Sequence, residues 1–364
     1  LLTTGHQRFP EIPHFVLGEA ENLMPTLVAD LLAGRLQHIY QHPDKPDVSR
    51  TPLPRWDLID HRAYVTMSVQ FSRGCPFNCE FCDIIAMYGR TPRAKTPEQM
   101  IAELDALIDA GWKNGIFIVD DNFIGHPRKA KELLRALIDW RARRKVRTSF
   151  TTEASLNLVD DPELLDLMVA AGFRKVFVGL ETPDEASLTE CAKVQNTARS
   201  LVDAVNIIQR AGIEVMGGFI VGFDNDSSSV FEQQRRFIQE AGVVTAMVGL
   251  LTALPQTRLF ARLKSEGRIL GESTGNNLDT VLNFVPKLDR DTLIEGYRAL
   301  VKHLYSPQVY YRRALTFLRQ YRRRGPRSRI AWNEVGAFIR SLWVVGIRHH
   351  GRREYWKFFT KVLL

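Results

Sequence analysis

Between residues 65 and about 270 the chain alternates short β-branched runs with amphipathic stretches, six times over. That rhythm limits the possible fold more than any other feature of its 364 residues. The predicted strands are 65–71, 115–119, 147–152, 175–180, 214–221 and 244–251. The helices between them carry clear punctuation. Thr96-Pro97-Glu98-Gln99 predicts an N-cap, a proline in the first turn and a capping-box glutamine. Met100, Ile101, Leu104, Leu107 and Ile108 then supply a 3.6-residue apolar stripe, and Gly111 stops it. Asp161-Pro162 through Gly172 repeats the design, and a further helix ends at Gly212. Six βα units in a row call for a parallel sheet with outer helices, and apolar strands fit a sheet covered on both faces. A doubly wound sheet and a barrel both satisfy this pattern. In either, ligands gather at the C-terminal ends of the strands.

The flanks read differently. Residues 14–18 predict a strand and 20–32 a helix ended by Gly34, the look of a last βα unit of a preceding domain. Proline-rich chain follows at 43–54. Beyond Gly271 the pattern turns helical, at 289–305 and 307–321. A basic break, Arg322-Arg323-Arg324-Gly325-Pro326-Arg327, then leads to an aromatic-rich helix pair. The expected boundaries are 1–42, a linker at 43–62, 63–270 and 271–364. A chain opening at Leu1, not Met, reads as a piece of a longer protein. At 45% hydrophobic and 25% charged residues the composition excludes a collagen, a disordered tail and a small disulfide scaffold. The longest apolar stretch of the tail, 335–347, is broken by Arg340 and falls short of the roughly 20 residues that span a bilayer. With no charged leader ahead of an apolar core, a cytoplasmic protein is expected.

Charge is unevenly placed. Residues 307–364 hold 14 Lys and Arg against Glu334 and Glu354, a net of +12, whereas the whole chain is +8, leaving −4 for residues 1–306. The basic tail, with Trp332, Phe338, Trp343, Tyr355, Trp356, Phe358 and Phe359, fits an anionic membrane surface. A packed helical subdomain with a solvated face accounts for it as well. Nucleic acid is the weaker partner, because the tail carries no recognisable RNA module.

Four cysteines occur, and three of them fall within eight residues, in Ser72-Arg73-Gly74-Cys75-Pro76-Phe77-Asn78-Cys79-Glu80-Phe81-Cys82. Such clustering reads as metal or redox chemistry. A structural zinc site takes four protein ligands, and no second pair or histidine stands at finger spacing. A four-iron cluster on three thiolates leaves one iron open to a small molecule. The motif directly follows the first predicted strand, which places it at the functional rim.

CxxxCxxC with an aromatic before the third cysteine resembles the radical S-adenosylmethionine (radical SAM) superfamily. The resemblance implies an α/β fold with a partial (β/α)6 TIM-like barrel. It also implies a [4Fe–4S] cluster on Cys75, Cys79 and Cys82, and cleavage of SAM to methionine and a 5′-deoxyadenosyl radical. Phe81 would pack near cluster and adenine. Glu153 and Glu181, closing the third and fourth strands, would hold the ribose hydroxyls or the SAM amino group; alone, either reads equally as a cap or surface charge. Gly218 and Gly222 of the fifth strand and Thr252 after the sixth match adenine-side positions, although tight strand packing explains the glycines equally. The usual Pro-Gly-Thr that follows stands here as Pro255-Gln256-Thr257. Of the adjacent Asp120 and Asp121, one is expected to face the site and the other to cap a turn.

Further matches narrow the family. Phe15-Val16-Leu17-Gly18-Glu19-Ala20-Glu21 resembles the end of a Rossmann-like cobalamin domain. Val119-Asp120-Asp121-Asn122-Phe123-Ile124-Gly125, Asn283-Phe284-Val285-Pro286-Lys287 and Tyr310-Tyr311-Arg312-Arg313 are similar to a subset with an extra helical C-terminal domain, which includes hopanoid A-ring methylases. Membership implies cobalamin-dependent C-methylation of a small hydrophobic, lipid-like substrate, with an electron donor such as a flavodoxin or ferredoxin. The alternative is a radical SAM enzyme that forms rings, rearranges or dehydrogenates. No visible histidine, His6 and His14 included, is assigned as cobalt ligand, and weak cobalamin binding by this stretch alone is expected.

Overall fold

The computed structural model describes residues 5–197, 199–273, 281–326 and 332–363. Among them, β1 (Phe15–Leu17) and β2 (Ile39–Gln41) pair in parallel around the helix Met24–Leu32. β3 (Met67–Val69) precedes a small antiparallel pair, β4 (Ser72–Arg73) with β5 (Arg93–Ala94). β6 (Ile116–Ile118), β7 (Phe150–Glu153), β8 (Phe173–Glu181), β9 (Glu214–Val221) and β10 (Ala246–Leu250) complete the set. The six strands foreseen from the sequence form one sheet, parallel throughout, in the order β3-β6-β7-β8-β9-β10. Sequence order and spatial order coincide. Right-handed crossovers then place every connecting helix on the same face, as in a barrel; a doubly wound sheet reverses its order at a switch point. The sheet stays open between β3 and β10, so the barrel is partial.

Aromatic rings run through the core beside the sheet in a chain, from the starts of β7 and β8 to beyond the ends of β3 and β6. Phe71 lies 5.7 Å from Phe123, Phe123 5.2 Å from Phe173, and Phe173 5.4 Å from Phe150. Outer helices press Leu104, Leu107, Leu133, Leu134 and Leu137 fully into this core, each worth about 1.5–3 kcal/mol of burial. The caps follow the sequence. Thr96 accepts from the Gln99 amide at 3.2 Å and Asp161 from the Leu164 amide at 3.0 Å. One detail differs. Gln99 does not complete a capping box, because its side-chain amide donates to the carbonyls of Val48 and Thr51 at 3.2 and 3.0 Å, tying the proline-rich linker to the barrel.

Two units lean on the barrel. Glu19, just after β1, accepts from Arg73 of β4 at 2.7 Å and from Arg93 of β5 at 2.6 Å, and its carboxylate is almost fully enclosed. On the other side the helices Arg290–Leu304 and Pro307–Gln320 follow β10. Between them the Tyr305 hydroxyl donates to the Ala246 carbonyl at 2.8 Å and accepts from its amide at 3.3 Å. Buried Arg313 donates to the carbonyls of Leu304 and Val244 at 3.0 and 3.1 Å. The chain ends in the helices Trp332–Trp343 and Arg352–Leu363, joined by a π-helical turn. The tail aromatics divide: Tyr355 is buried, and Phe358 stacks on Tyr311 at 5.1 Å, whereas Phe338, Trp343 and Trp356 are exposed. Arg327 and the side chain of Trp332 lie outside the described residues. No helix among the described residues is long and apolar enough to cross a membrane.

Candidate active site at the cysteine loop

The loop that carries the cysteines begins where β3 stops, and the cause is Asp120 at the end of β6. Its fully buried carboxylate accepts from the amides of Phe71 and Ser72, both at 2.8 Å, and from the Ser72 hydroxyl at 2.6 Å. These bonds pull the chain out of the sheet. Burial raises the Asp120 carboxyl to about 7 in spite of them. Gly74 makes the next turn at φ +97°, where a Cβ would meet the Gly89 carbonyl at 2.9 Å. Only glycine suits both demands.

Cys75, Cys79 and Cys82 then line one cavity of about 230 Å³ together with Phe81, Glu153 and Glu181. Four residues of one loop and two from strand ends therefore meet in one cavity. Gly218, Gly222 and Thr252 do not line it. Gly218 acts at one remove, since a Cβ there would strike the ring of Phe177, a wall of the cavity, at 2.8 Å. Gly222 donates its amide to buried Asp226 at 2.8 Å, and Thr252 donates to the Leu250 carbonyl at 3.3 Å. Of the two adjacent aspartates, Asp121 faces the cavity while Asp120 holds the loop.

Three further residues complete the site: Asn122 stands in the run quoted after the second predicted strand, whereas Lys193 and Gln195 gave no sequence signal. Asn122 donates to the Cys75 sulfur and Gln195 to the Cys79 sulfur, each at 3.7 Å. Lys193 pairs with Glu181 at 2.7 Å and lies 5.9 Å from the centre of the Phe81 ring. A single lysine or amide in a loop has no periodicity or spacing to mark it. The fourth cysteine, Cys191, is buried outside the cavity, and its carbonyl accepts the Glu80 amide at 2.8 Å. The loop is clamped from outside as well. Arg262 donates to both Glu80 oxygens at 2.7 and 3.1 Å and to Asp224 at 2.8 Å, and the Leu259 amide donates to the Glu80 carbonyl at 2.9 Å.

Burial pushes the Cys82 thiol up to about 12 and raises Cys75 too. Buried thiols of this kind become thiolates when a soft metal replaces the proton. No three His, Cys, Asp or Glu among the described residues converge on a point where one ion would sit. Three cysteines on one cavity, with no fourth His or Cys among the described residues lining it, match the three-thiolate set of a cluster more closely than the four-ligand set of a structural zinc. Glu153, raised by burial and then by Asp121 to about 7, and Glu181, paired with Lys193, offer acceptors beside them.

Comparisons with known proteins agree. The model of the radical SAM superfamily matches residues 69–254, and that of a domain of unknown function, DUF4070, matches 257–364. The chain is 42% identical over 348 residues to an uncharacterized methyltransferase of Synechocystis sp., covering 94% of this chain and 64% of that protein. It is 34% identical over 366 residues to the hopanoid C-2 methylase of Rhodopseudomonas palustris, covering 98% of this chain and 69% of that one. The chain thus spans about two thirds of the length of these relatives. Among solved structures, the cobalamin-dependent radical SAM enzyme OxsB with aqua-cobalamin and S-adenosylmethionine bound aligns at a TM-score of 0.63. It has 17% identity and covers 83% of this chain and 52% of that one, a likeness that speaks for the fold. With its cysteine loop at the rim of a partial parallel barrel and both the family model and its relatives in agreement, this chain belongs to the radical SAM superfamily.

Proposed function

We propose that the protein is a cobalamin-dependent radical SAM methyltransferase acting on an unactivated carbon of a hydrophobic, lipid-like substrate. The observation that carries the reading is the convergence of three cysteines and two carboxylates on one strand-end cavity, in a chain 34% identical to a hopanoid methylase. Cys75, Cys79 and Cys82 would hold a [4Fe–4S] cluster, whose chemistry when bound is one-electron reduction of SAM at its open iron. The protein's own part is to bind, orient and shield. Asn122 and Gln195 fix two sulfurs by N–H···S bonds. Glu181 and Glu153 would accept from the hydroxyls and amino group of SAM, while Phe81 and Phe177 wall the cavity against water.

Cobalamin finds support in a second cavity, of about 1570 Å³, between the N-terminal unit and the cysteine loop. It opens at the C-terminal ends of β1 and β2, the place where open α/β sheets take ligands. Its walls include Gly18, Glu21, Asp44, Arg73 and Tyr88, and it exceeds the roughly 300–1,000 Å³ of drug-sized sites. His42 lines it too, but its ring nitrogen is engaged with the backbone of Asp44 at 3.1 Å. A membrane surface as partner is supported by exposed Phe338, Ile339, Trp343 and Trp356 beside exposed Arg340, Arg348 and Lys357. An external one-electron donor of the flavodoxin or ferredoxin class completes the scheme.

Anaerobic reconstitution followed by iron and sulfide analysis, with EPR of the reduced protein with and without SAM, tests the reading. About four irons and a SAM-perturbed signal are expected. Zinc or no metal, with no response to SAM, overturns it. Product analysis decides the rest: S-adenosylhomocysteine beside 5′-deoxyadenosine marks methyl transfer, and 5′-deoxyadenosine alone assigns the chain to the non-methylating members.

A further inference from the structure

The cavity that holds the cysteines is lined by three carboxylates, Asp121, Glu153 and Glu181, and by one cation, Lys193, among the described residues. Lys193 is unusual in its setting. Its side chain is only 12% exposed, its ammonium meets the Glu181 carboxylate at 2.7 Å, and it sits over the ring of Phe81, the residue before Cys82. Burial by itself would lower its pKa, but the ion pair with Glu181 outweighs that and keeps it protonated. Glu181 in turn stands at φ +61°, in the left-handed region that a glutamate rarely adopts. A Cβ at Gly179 would meet Lys193 Nζ at 2.8 Å, so the strand end is shaped around this pair. Such strain persists only where the surroundings enforce it.

We propose that Lys193 is a positioning residue which sets the reduction potential of the cluster and holds the Glu181 side chain in its strained pose. The proposal rests on the cluster reading above. A cluster on three thiolates carries net negative charge that grows by one on reduction, and the potential of such clusters follows the charge and hydrogen bonding around them. Lys193 lines the same cavity as the three cysteines and is largely shielded from solvent, so its charge is screened far less than one at the surface. The ammonium stabilises the reduced state, and Glu181 offsets part of that effect. Removing the cation therefore makes reduction harder, whereas neutralising Glu181 makes it easier.

The test is a redox titration followed by EPR, with dithionite as the reductant, on the reconstituted full chain and on the Lys193→Met, Lys193→Arg and Glu181→Gln variants, each with iron content measured. The expected result is a midpoint shifted to more negative potential in K193M, one near the wild type in K193R, and a shift to more positive potential in E181Q. An unchanged midpoint in K193M at equal iron content would overturn the proposal. So would loss of the cluster in K193M and K193R alike, which would make Lys193 a packing residue. Absence of iron from the wild-type chain would instead overturn the cluster reading itself.

Discussion

At the scale of single residues, three positions store free energy, one as backbone strain and two as protons. Gln256 occupies φ +66°, and it stands where the resemblance leads one to expect glycine. A side chain in that region costs roughly 1–2 kcal/mol, of which glycine's greater freedom when unfolded returns part. Gln256→Gly is therefore expected to stabilise the chain by about 0.5–1 kcal/mol in urea denaturation; a lower midpoint would show that Gln256 has a role in the large cavity it borders. Asp120 and Asp226 store energy as protons. Burial raises them to about 7 and about 6 from the ordinary 3.8. Between those values the fold keeps protons that the unfolded chain has released, so stability falls as pH rises from about 4 to about 7, then levels off. Urea midpoints of the metal-free chain across that range should show the decline. D226N should lessen the decline by Asp226's share while Asp120 keeps the rest, since an amide still accepts from Gly222 and Phe223 and donates to Ser187. Cys75, Cys79 and Cys82 were legible because spacing is a property of sequence. Lys193 and Gln195 were not, because they reach the site by folding alone.

At the scale of elements, the helix Arg258–Ser265 matters more than its eight residues suggest. It carries Arg262, which neutralises Glu80 inside the cysteine loop and Asp224 beyond β9. Arg262→Met leaves the enclosed Glu80 carboxylate without its cation, while Asp224 keeps Arg268, a loss on the order of 3 kcal/mol. Lower iron uptake should accompany it; full uptake at unchanged stability would show that the clamp is dispensable. The strands and caps were legible because their signals are local: β-branched runs, Thr96, Asp161 and Gly172. The half-formed box at Gln99 was misread because the linker, remote in sequence, competes for its amide. Likewise the end of β3 depends on Asp120, 48 residues further on than Ser72.

At the scale of the whole molecule, charge and exposed apolar surface coincide on the C-terminal helices. Each basic residue near an anionic bilayer contributes about 1 kcal/mol. Arg340→Ala and Arg348→Ala should each weaken binding to vesicles containing anionic lipid by roughly fivefold at low salt. Sedimentation that ignores both lipid charge and salt would remove the membrane from the picture. The sequence marked the tail as basic and aromatic but did not show which rings pack inward, since that depends on Tyr311 meeting Phe358 across 47 residues.

The contact of Tyr305 with Ala246 carries a last consequence. β10 is an outermost strand, and both hydrogen-bonding groups of Ala246 are taken by one phenol. An uncovered strand of this kind is a template on which a second chain can add. The helical extension thus works as a guard against self-association, and Tyr305→Phe should leave a fraction of the protein in soluble aggregates on gel filtration. A barrel shortened to residues 63–270, however complete its chemistry, would be expected to polymerise before it could be assayed.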